Sequence, residues 1–292
     1  MNWEHLREEE FKGAIEKSGG LCVVPLGCIE KHGQQLPVGT DGLAVTGIVQ
    51  QAAELEDVVV FPTGYWLGDL TGAHARKDPI ASGHAGYISL KPTTLLTVLE
   101  ELCDEIARNG FRKILIVNGH GGNQALLSYF MRTQSYETKS YATMAVNHWD
   151  KTDYPHYLVE HREEYPMLTD EDIEVLKGYQ EKGFGGGHAD FRETARIMGL
   201  HPQLIATDRY DAESGLSTHR SDHLKELGVS IVNSWAINYP NAIEGYPSFG
   251  CTETIGQAIV AREARRLAKI FKVLKEDEEC VRIARRLPPL EK

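Results

Sequence analysis

Short apolar runs alternate with amphipathic segments along the first half of the chain. The runs are LCVVPLG (21–27), VVVFPTGY (58–65), KILIVNG (113–119) and YATMAVNHW (141–149). Segments in which apolar residues recur at helical spacing accompany them, at 3–18, 42–56, 91–110 and within 125–135. This β–α–β alternation predicts an α/β fold with a mostly parallel sheet and helices on both faces, a three-layer α/β/α sandwich.

The pattern changes in the second half of the chain. Residues 150–187 are acidic, include several tyrosines and end in a glycine cluster. We interpret them as an insertion over one edge of the sheet, either a lid or an ordinary surface excursion. The alternation resumes with a predicted helix near 189–199, a strand at VSIVNSW (229–235) and a helix over 252–275. No internal repeat is visible, so one domain over residues 1–292 is expected.

Composition excludes several classes of function. The formal net charge of -11 argues against nucleic acid as a partner, because phosphate binding needs a basic surface. No apolar run is long enough for a membrane span, and the acidic N-terminus does not resemble a signal peptide. The five cysteines are widely spaced without a C-x-x-C pair, as in reduced cytosolic proteins. A cytoplasmic protein is therefore expected.

The segment GCIEKHGQQLPVGTD (27–41) follows the first predicted strand. Glu30 and His32 are two residues apart, so in an extended segment they face the same way. After a turn at Pro37 and Gly39, Asp41 can return to the same point. Carboxylate with imidazole suits zinc, manganese or iron(II). Alternatively, Asp41 is only a helix cap and the other two side chains belong to a solvated loop.

Two further histidine motifs follow along the chain. His120 in VNGHGGN (117–123) comes directly after a predicted strand, at the edge where open α/β sheets bind ligands. In GGGHADFRET (185–194), His188 leaves a glycine-rich loop and Glu193 follows five residues later. His188 could be a ligand, a general acid/base or a loop residue. Glu193 could be a ligand or a carboxylate that favours a helix N-terminus, and His120 could be a structural histidine.

Together these motifs resemble the creatininase (creatinine amidohydrolase) family across about residues 20–270. The matching blocks are PLGCIEKHGQQLPVGTD (25–41), GHAGYISLKP (83–92), VNGHGGN (117–123), HADFRETARIMGLHPQL (188–204) and GYPSFGCTETIG (245–256). The resemblance implies an α/β sandwich, a homo-hexamer, and hydrolysis of cyclic or linear amides with two divalent metal ions, Zn, Mn or Fe.

The resemblance also implies roles for individual residues. The metal ligands would be Glu30, His32, Asp41, His120 and Glu193, with Asp41 bridging the two ions. His188 would be the catalytic acid/base, delivering a proton to the leaving nitrogen.

The chain departs from the family pattern in three places. Family members often have a bulky residue and a glutamate after N-G-H, where this chain has Gly121 and Gly122. This departure argues against creatinine itself as substrate and shifts metal binding toward Glu193. Gln35 stands where many members have a histidine. The third block has Asp190, Phe191 and Ala195 in place of commoner residues, so altered hydrogen bonds around the metal ligands are expected.

The expected function is that of a metal-dependent amidohydrolase with a small-molecule substrate. Trp66, His84 and Trp149 are candidates to stack on a flat ligand, although each fits a core or surface position equally well. A formamide deformylase acting on a nucleotide-like substrate is the main alternative. A noncatalytic metal-binding protein is the third hypothesis.

Overall fold

The central sheet is parallel in the computed structural model, which describes residues 1–70, 85–182, 186–231, 234–245 and 248–286. Its strands are β1 (Leu21–Leu26), β2 (Val59–Val60), β3 (Lys113–Asn118) and β4 (Ala142–Asn147). The order across the sheet is β2-β1-β3-β4, and each neighbouring pair is parallel. The predicted α/β class with a mostly parallel sheet is confirmed.

The helices predicted over 42–56, 91–110, 125–135, 189–199 and 252–275 lie close to helices of the structure, and the helices at 154–160, 170–181, 222–226, 234–238 and 279–284 are additional. The α-helices of the described residues are α1 (Phe11–Lys17), α2 (Thr40–Leu55), α3 (Pro92–Arg108), α4 (Asn123–Thr133), α5 (Tyr154–Glu160), α6 (Asp170–Glu181), α7 (Phe191–Leu200), α8 (Asp222–Glu226), α9 (Ser234–Asn238), α10 (Glu253–Glu276) and α11 (Glu279–Ala284). Among them, none combines the length and apolarity that a membrane span requires.

The first predicted helix is shorter than expected. Instead of one helix over 3–18, two 3-10 turns at Trp3–His5 and Glu8–Glu10 precede α1. The Trp3 ring packs at 4.9–5.4 Å from Phe11, Phe61 and Phe111. These aromatic contacts hold the N-terminal segment against the body of the protein.

Alternate residues of the central strands point to opposite faces of the sheet. On β1, Cys22, Val24 and Leu26 pack in a core with α3 and α4, whereas Leu21 and Val23 pack in a second core with α2 and α10. Each fully buried aliphatic side chain of this size stabilises the fold by roughly 1.5–3 kcal/mol. The two cores account for the three layers and fix the strand ends on which the site is built.

The acidic segment after β4 is helical where the structure describes it. Tyr154 and Leu158 of α5 and Leu176 of α6 lie in one buried cluster with Phe191 and Ile255, which belong to α7 and α10. This cluster anchors α7, and α7 holds Glu193 in its first turn.

The predicted strand at 229–235 is wrong. Residues 229–231 have no regular structure, Val229 is 48% exposed, and Ser234 begins α9. A buried strand needs neighbours on both faces, and this surface segment lacks them. The structure instead has a short antiparallel pair, β5 (Gly186–His188) and β6 (Glu244–Gly245).

Candidate metal centre

The first two motifs meet because β1 and β3 end at the same edge of the sheet. Leu26 pairs with Asn118 at the last position of both strands. Beyond β1, Gly27 lies so close to Gly42 that an added Cβ would be 2.5 Å from the Gly42 Cα. This close approach brings the first turn of α2, with Asp41, against the end of β1.

Asp41 lies between the two histidines. The Nε2 of His32 is 3.3 Å from Asp41 Oδ1, and the Nδ1 of His120 is 2.9 Å from Asp41 Oδ2. His120 Nδ1 is also 2.9 Å from Glu30 Oε1, and His32 Nε2 is 3.5 Å from Glu193 Oε2. The structure therefore brings together five of the side chains singled out from the sequence.

The second nitrogen of each imidazole faces a backbone carbonyl. His32 Nδ1 is 3.2 Å from the Glu30 carbonyl oxygen, and His120 Nε2 is 3.0 Å from that of Asp69. Because a carbonyl oxygen only accepts, these two nitrogens carry the protons in the neutral rings. The lone pairs of the other two nitrogens then point at carboxylates, an arrangement that needs a positive charge between them. Metal-bound histidines show this same pattern of a backbone acceptor on the far nitrogen.

The surrounding carboxylates favour positive charge on both imidazoles. Burial disfavours the charged form of His32, but Asp41 and Glu193 beside it raise its pKa to about 10. Burial likewise opposes ionisation of His120, and Glu30 and Asp41 still raise its pKa well above the ordinary value. Both imidazoles thus lie in strongly anionic surroundings.

Acceptors outnumber donors in this cluster. Glu30 is 7% exposed and Asp41 is 3% exposed. The buried Oε1 atom of Glu30 shares its near nitrogen, His120 Nδ1, with Asp41 Oδ2, each at 2.9 Å. Burial raises the pKa of Glu193. Buried carboxylates that share one nitrogen in this way fit a site for a cation.

Two sets of ligand atoms overlap at Asp41. One consists of Glu30, Asp41 and His120 with Cys28, and the other of His32, Asp41 and Glu193; within each, the atoms lie within 4.8 Å of one another. Burial, followed by the charges of Asp41 and Glu30, raises the pKa of the Cys28 thiol well above its ordinary value. Cys28 therefore stays protonated and donates to Asp41 over 2.9 Å. Carboxylate oxygens and imidazole nitrogens are metal ligands that suit zinc, manganese or iron.

His188 lies against the same cluster. Its Nε2 donates to the Lys31 carbonyl oxygen over 2.8 Å, and its Nδ1 is 3.8 Å from Glu30 Oε1. The ring stacks on His32 with centroids 4.2 Å apart. The hydrogen bond to Lys31 assigns the proton to Nε2 in the neutral ring and leaves the Nδ1 lone pair free on the side of Glu30.

The departures from the family pattern have structural counterparts. A Cβ at Gly122 would be 2.4 Å from both the Asp69 carbonyl oxygen and His120 Nε2, so no side chain fits there. Gln35 donates from its amide nitrogen to the Ala189 carbonyl oxygen over 2.9 Å and so links the first motif to the third. Asp190 caps α7 by accepting from the Glu193 backbone N–H at 3.1 Å.

A cavity of about 320 Å³ opens beside the cluster. Its lining side chains are Glu30, Asp41, His120, His188, Glu193, Trp235 and Glu244. The described residues that line this cavity do not include Trp66. Its side chain is 48% exposed. Trp149 borders an adjoining cavity that shares Asp41 and Glu193. His84 lies outside the described residues.

Sequence reasoning missed Trp235 and Glu244. The indole Nε1 of Trp235 donates to Glu244 Oε2 over 2.7 Å, and its ring meets His188 edge-on at 5.1 Å. Glu244 is the cross-strand partner of His188 in the β5–β6 pair. The only signal was the position of Glu244 directly before the block 245–256.

An α/β sandwich with overlapping imidazole–carboxylate sets at the carboxyl edge of its sheet has the architecture of a metal-dependent hydrolase. The model of the family described as "Creatininase: Creatinine amidohydrolase" matches residues 4–271. The chain belongs to the creatininase family, whose members are metal-dependent hydrolases acting on amide C–N bonds.

Known proteins resemble the chain to different extents. The creatinine amidohydrolase of Pseudomonas putida is 23% identical over 210 residues, which are 69% of this chain and 72% of that protein. A mycofactocin precursor peptide peptidase of Mycolicibacterium smegmatis is 32% identical over 124 residues, 40% of this chain and 46% of that protein. The solved structure of a mutant creatininase of Zn-Zn type superposes with a TM-score of 0.68 at 18% identity, covering 94% of this chain and 98% of that one. At 18% identity, this structural similarity shows a shared fold only.

Proposed function

We propose that the protein is a divalent-metal-dependent amidohydrolase that cleaves the C–N amide bond of a small cyclic or linear amide. The main support is the pair of ligand sets that share Asp41 at the wall of the cavity. A volume of about 320 Å³ is at the lower end of the range for small-molecule sites, roughly 300–1,000 Å³.

In this proposal two ions, Zn, Mn or Fe, are held by the residues of the two sets. The residues that would hold them are Glu30, His32, Asp41, His120 and Glu193, and Asp41 belongs to both sets. Bound divalent ions would supply an acidified water and positive charge for the developing oxyanion. The His120 nitrogen shared by Glu30 and Asp41, and the carbonyl-bound far nitrogens of His32 and His120, fit such ions.

His188 is the proposed general acid/base. Its Nε2–H is engaged by the Lys31 carbonyl, so Nδ1 is the nitrogen that accepts and returns a proton. An amine leaves poorly unless it is protonated, and an imidazole exchanges protons near neutral pH. The stack on His32 and the edge contact with Trp235 hold the ring in a fixed orientation.

The substrate class follows from the same features. Gly121 and Gly122 remove two side chains that the creatininase pattern has beside the metals, so an amide other than creatinine is favoured. A peptide amide is the second candidate, because of the 32% identity to part of a mycofactocin precursor peptide peptidase. Trp149 beside the adjoining cavity is one aromatic residue proposed for substrate contact. A homo-hexamer is part of the proposal by family resemblance, and a cytoplasmic location is part of it because the cysteines are few and widely spaced.

Metal analysis combined with an amide screen tests this function. The purified protein should contain close to two divalent ions per chain and hydrolyse at least one member of a panel of cyclic amides, linear amides, formamides and short peptides. Removal of the metal by a chelator should abolish turnover, and added Zn or Mn should restore it. A protein that holds its metals and hydrolyses none of these amides would contradict the proposal.

A further inference from the structure

A fourth carboxylate lines the cavity away from the proposed metal ligands. Glu244 on β6 is part of the lining, but it belongs to none of the ligand sets. Glu30, Asp41 and Glu193 would be engaged by metal ions under the proposed function. Glu244 is then the lining carboxylate that remains for the substrate.

The Glu244 side chain is held in place. Oε2 accepts from Trp235 Nε1 over 2.7 Å. Burial, followed by the charge of the nearby Glu244, raises the pKa of the Tyr239 hydroxyl. The backbone of Glu244 is tied to His188 by the β5–β6 pairing. The carboxylate therefore keeps a fixed position relative to the proposed proton donor.

Glu244 forms no ion pair with a lysine or arginine in the part of the chain that the structure describes, although Lys225 lines a neighbouring cleft together with it. The cavity lining contains carboxylates, imidazoles, an indole and glycines, but no lysine or arginine among the described residues. The hydrogen bond that Glu244 accepts comes from the neutral indole of Trp235. Charge-assisted hydrogen bonds from a ligand cation would thus be available at the cavity wall.

We propose that Glu244 is a specificity-determining residue that binds a positively charged group of the substrate. This inference rests on the proposed function and names its substrate class: amides that carry an amine, amidine or guanidine. The carboxylate would pair with the cation, and the neighbouring indole of Trp235 adds a surface that attracts cations. An acidic amide would instead meet like charge at the same wall.

Binding of metal-chelating hydroxamates to the zinc-loaded protein tests this without turnover. The three probes have similar length: β-alanine hydroxamate is cationic, butyrohydroxamate is neutral and succinic monohydroxamate is anionic. Calorimetry should give the cationic probe about tenfold higher affinity than the neutral one, the scale of one charge-assisted hydrogen bond. The anionic probe should bind more weakly than both.

The variants isolate the charge of Glu244. Glu244→Gln keeps an acceptor for Trp235 and should remove the preference for the cationic probe, leaving affinity for the neutral probe within about twofold. Glu226→Gln is the matched control, because Glu226 lines the neighbouring cleft together with Glu244 but, among the described residues, is not in the lining of the metal cavity. If Glu244→Gln does not fold, Glu244→Asp withdraws the charge by one methylene and should weaken the preference.

The possible outcomes are distinguishable. Equal affinity of the wild type for all three probes, or a preference that persists in Glu244→Gln, would overturn the role of Glu244 while leaving the metal centre intact. A protein that takes up no zinc, or that takes it up and binds no hydroxamate, would overturn the proposed function and the inference with it.

Discussion

Two buried polar clusters lie close together in this protein, and their hydrogen bonding differs. In the first, which we call the metal cluster (Glu30, His32, Asp41, His120 and Glu193), acceptors outnumber donors. In the second, the Glu263 cluster (His148, Tyr154, Arg196 and Glu263), both carboxylate oxygens accept hydrogen bonds from side chains. Glu263 is fully buried, and Oε1 accepts from Tyr154 at 2.6 Å and Arg196 at 2.7 Å, while Oε2 accepts from His148 at 3.0 Å and Arg196 at 3.1 Å.

The difference separates a structural network from a candidate cation site. One carboxylate with three donor side chains needs nothing more, so the Glu263 cluster stabilises the fold by itself. Three carboxylates that share two imidazoles need an additional positive charge. The two clusters are also connected, because Arg196 lies one turn after Glu193 on α7. Holding Arg196 therefore positions Glu193.

The largest effect is expected at Asp41, which the two ligand sets share. Asp41→Ala should reduce the metal content from about two ions per chain to nearly none. Amide hydrolysis should then fall to the uncatalysed rate, a loss of at least about 10⁶-fold on the usual scale of enzymes. Elemental analysis and kinetics check this, with Asp57→Ala at an exposed ion pair as control. Full metal content and activity in Asp41→Ala would remove the shared role.

A substitution of His188 separates the effect on catalysis from the effect on metal binding. His188→Ala should keep its metal ions and its melting temperature but lose roughly 10²–10⁴-fold in kcat, the scale of general acid–base catalysis. The loss should be larger for amides with basic leaving amines, because these depend most on protonation. Metal content, melting temperature and kcat on two leaving groups are the measurements.

Two other outcomes for His188→Ala would each contradict this role. Lower metal content with partial rescue by added metal would make His188 a ligand. A lower melting temperature with nearly full activity would make it structural. The exposed His156, changed to alanine, is the matched control.

The Glu263 cluster should respond in stability rather than in chemistry. Glu263→Ala leaves the buried Arg196 without its partner and should cost roughly 3–5 kcal/mol in the free energy of unfolding at neutral pH. Folded variant protein should still bind metal. A cost below about 1 kcal/mol in urea unfolding of metal-free protein would show that the cluster is not structural.

The loss in the free energy of unfolding caused by Glu263→Ala should depend on pH in a defined direction. Although burial opposes ionisation, Arg196 and His148 hold the pKa of Glu263 well below its ordinary value. Its contribution is therefore fully present above the unfolded pKa, about 4.3, and is lost as the pH falls through the folded pKa. The difference between wild type and Glu263→Ala should shrink as the pH falls below about 4.3. An equal difference at pH 7 and pH 3 would contradict the ion pair.

The metal cluster was more predictable from sequence than its surroundings. Glu30, His32 and His120 follow parallel strands, and parallel strands end at one edge, so their proximity follows from topology. Trp235 and Glu244 belong to the segment between α7 and α10, which has no periodic pattern to fix its path. There the strand prediction was wrong.

One feature of the sequence does indicate the Glu263 cluster. Glu263 occupies the apolar stripe of α10, four residues after Ile259 and four before Leu267. A charge at such a position requires buried partners. Its partners lie on other helices and on the segment after β4, which the spacing within one helix does not reveal.

The smallest effect is expected for a substitution of Glu193, which belongs to only one of the two ligand sets that share Asp41. Glu193→Gln removes a carboxylate from the set with His32 and leaves the set of Glu30, Asp41 and His120 untouched. One metal ion should be retained and the other bound about 10–100-fold more weakly or lost. Zinc titration measures both affinities, with Glu253→Gln in the first turn of α10 as control.

A glutamate at position 122 should not compensate for that loss. The Cβ of Gly122→Glu would meet the Asp69 carbonyl oxygen and the His120 ring at 2.4 Å, so this backbone has no room for the family's glutamate. The double variant Glu193→Gln, Gly122→Glu should therefore bind zinc no better than Glu193→Gln alone and should melt at a lower temperature. Recovery of the second ion in the double variant would mean that the loop can move. Position 122 rather than Glu193 would then define the second metal site.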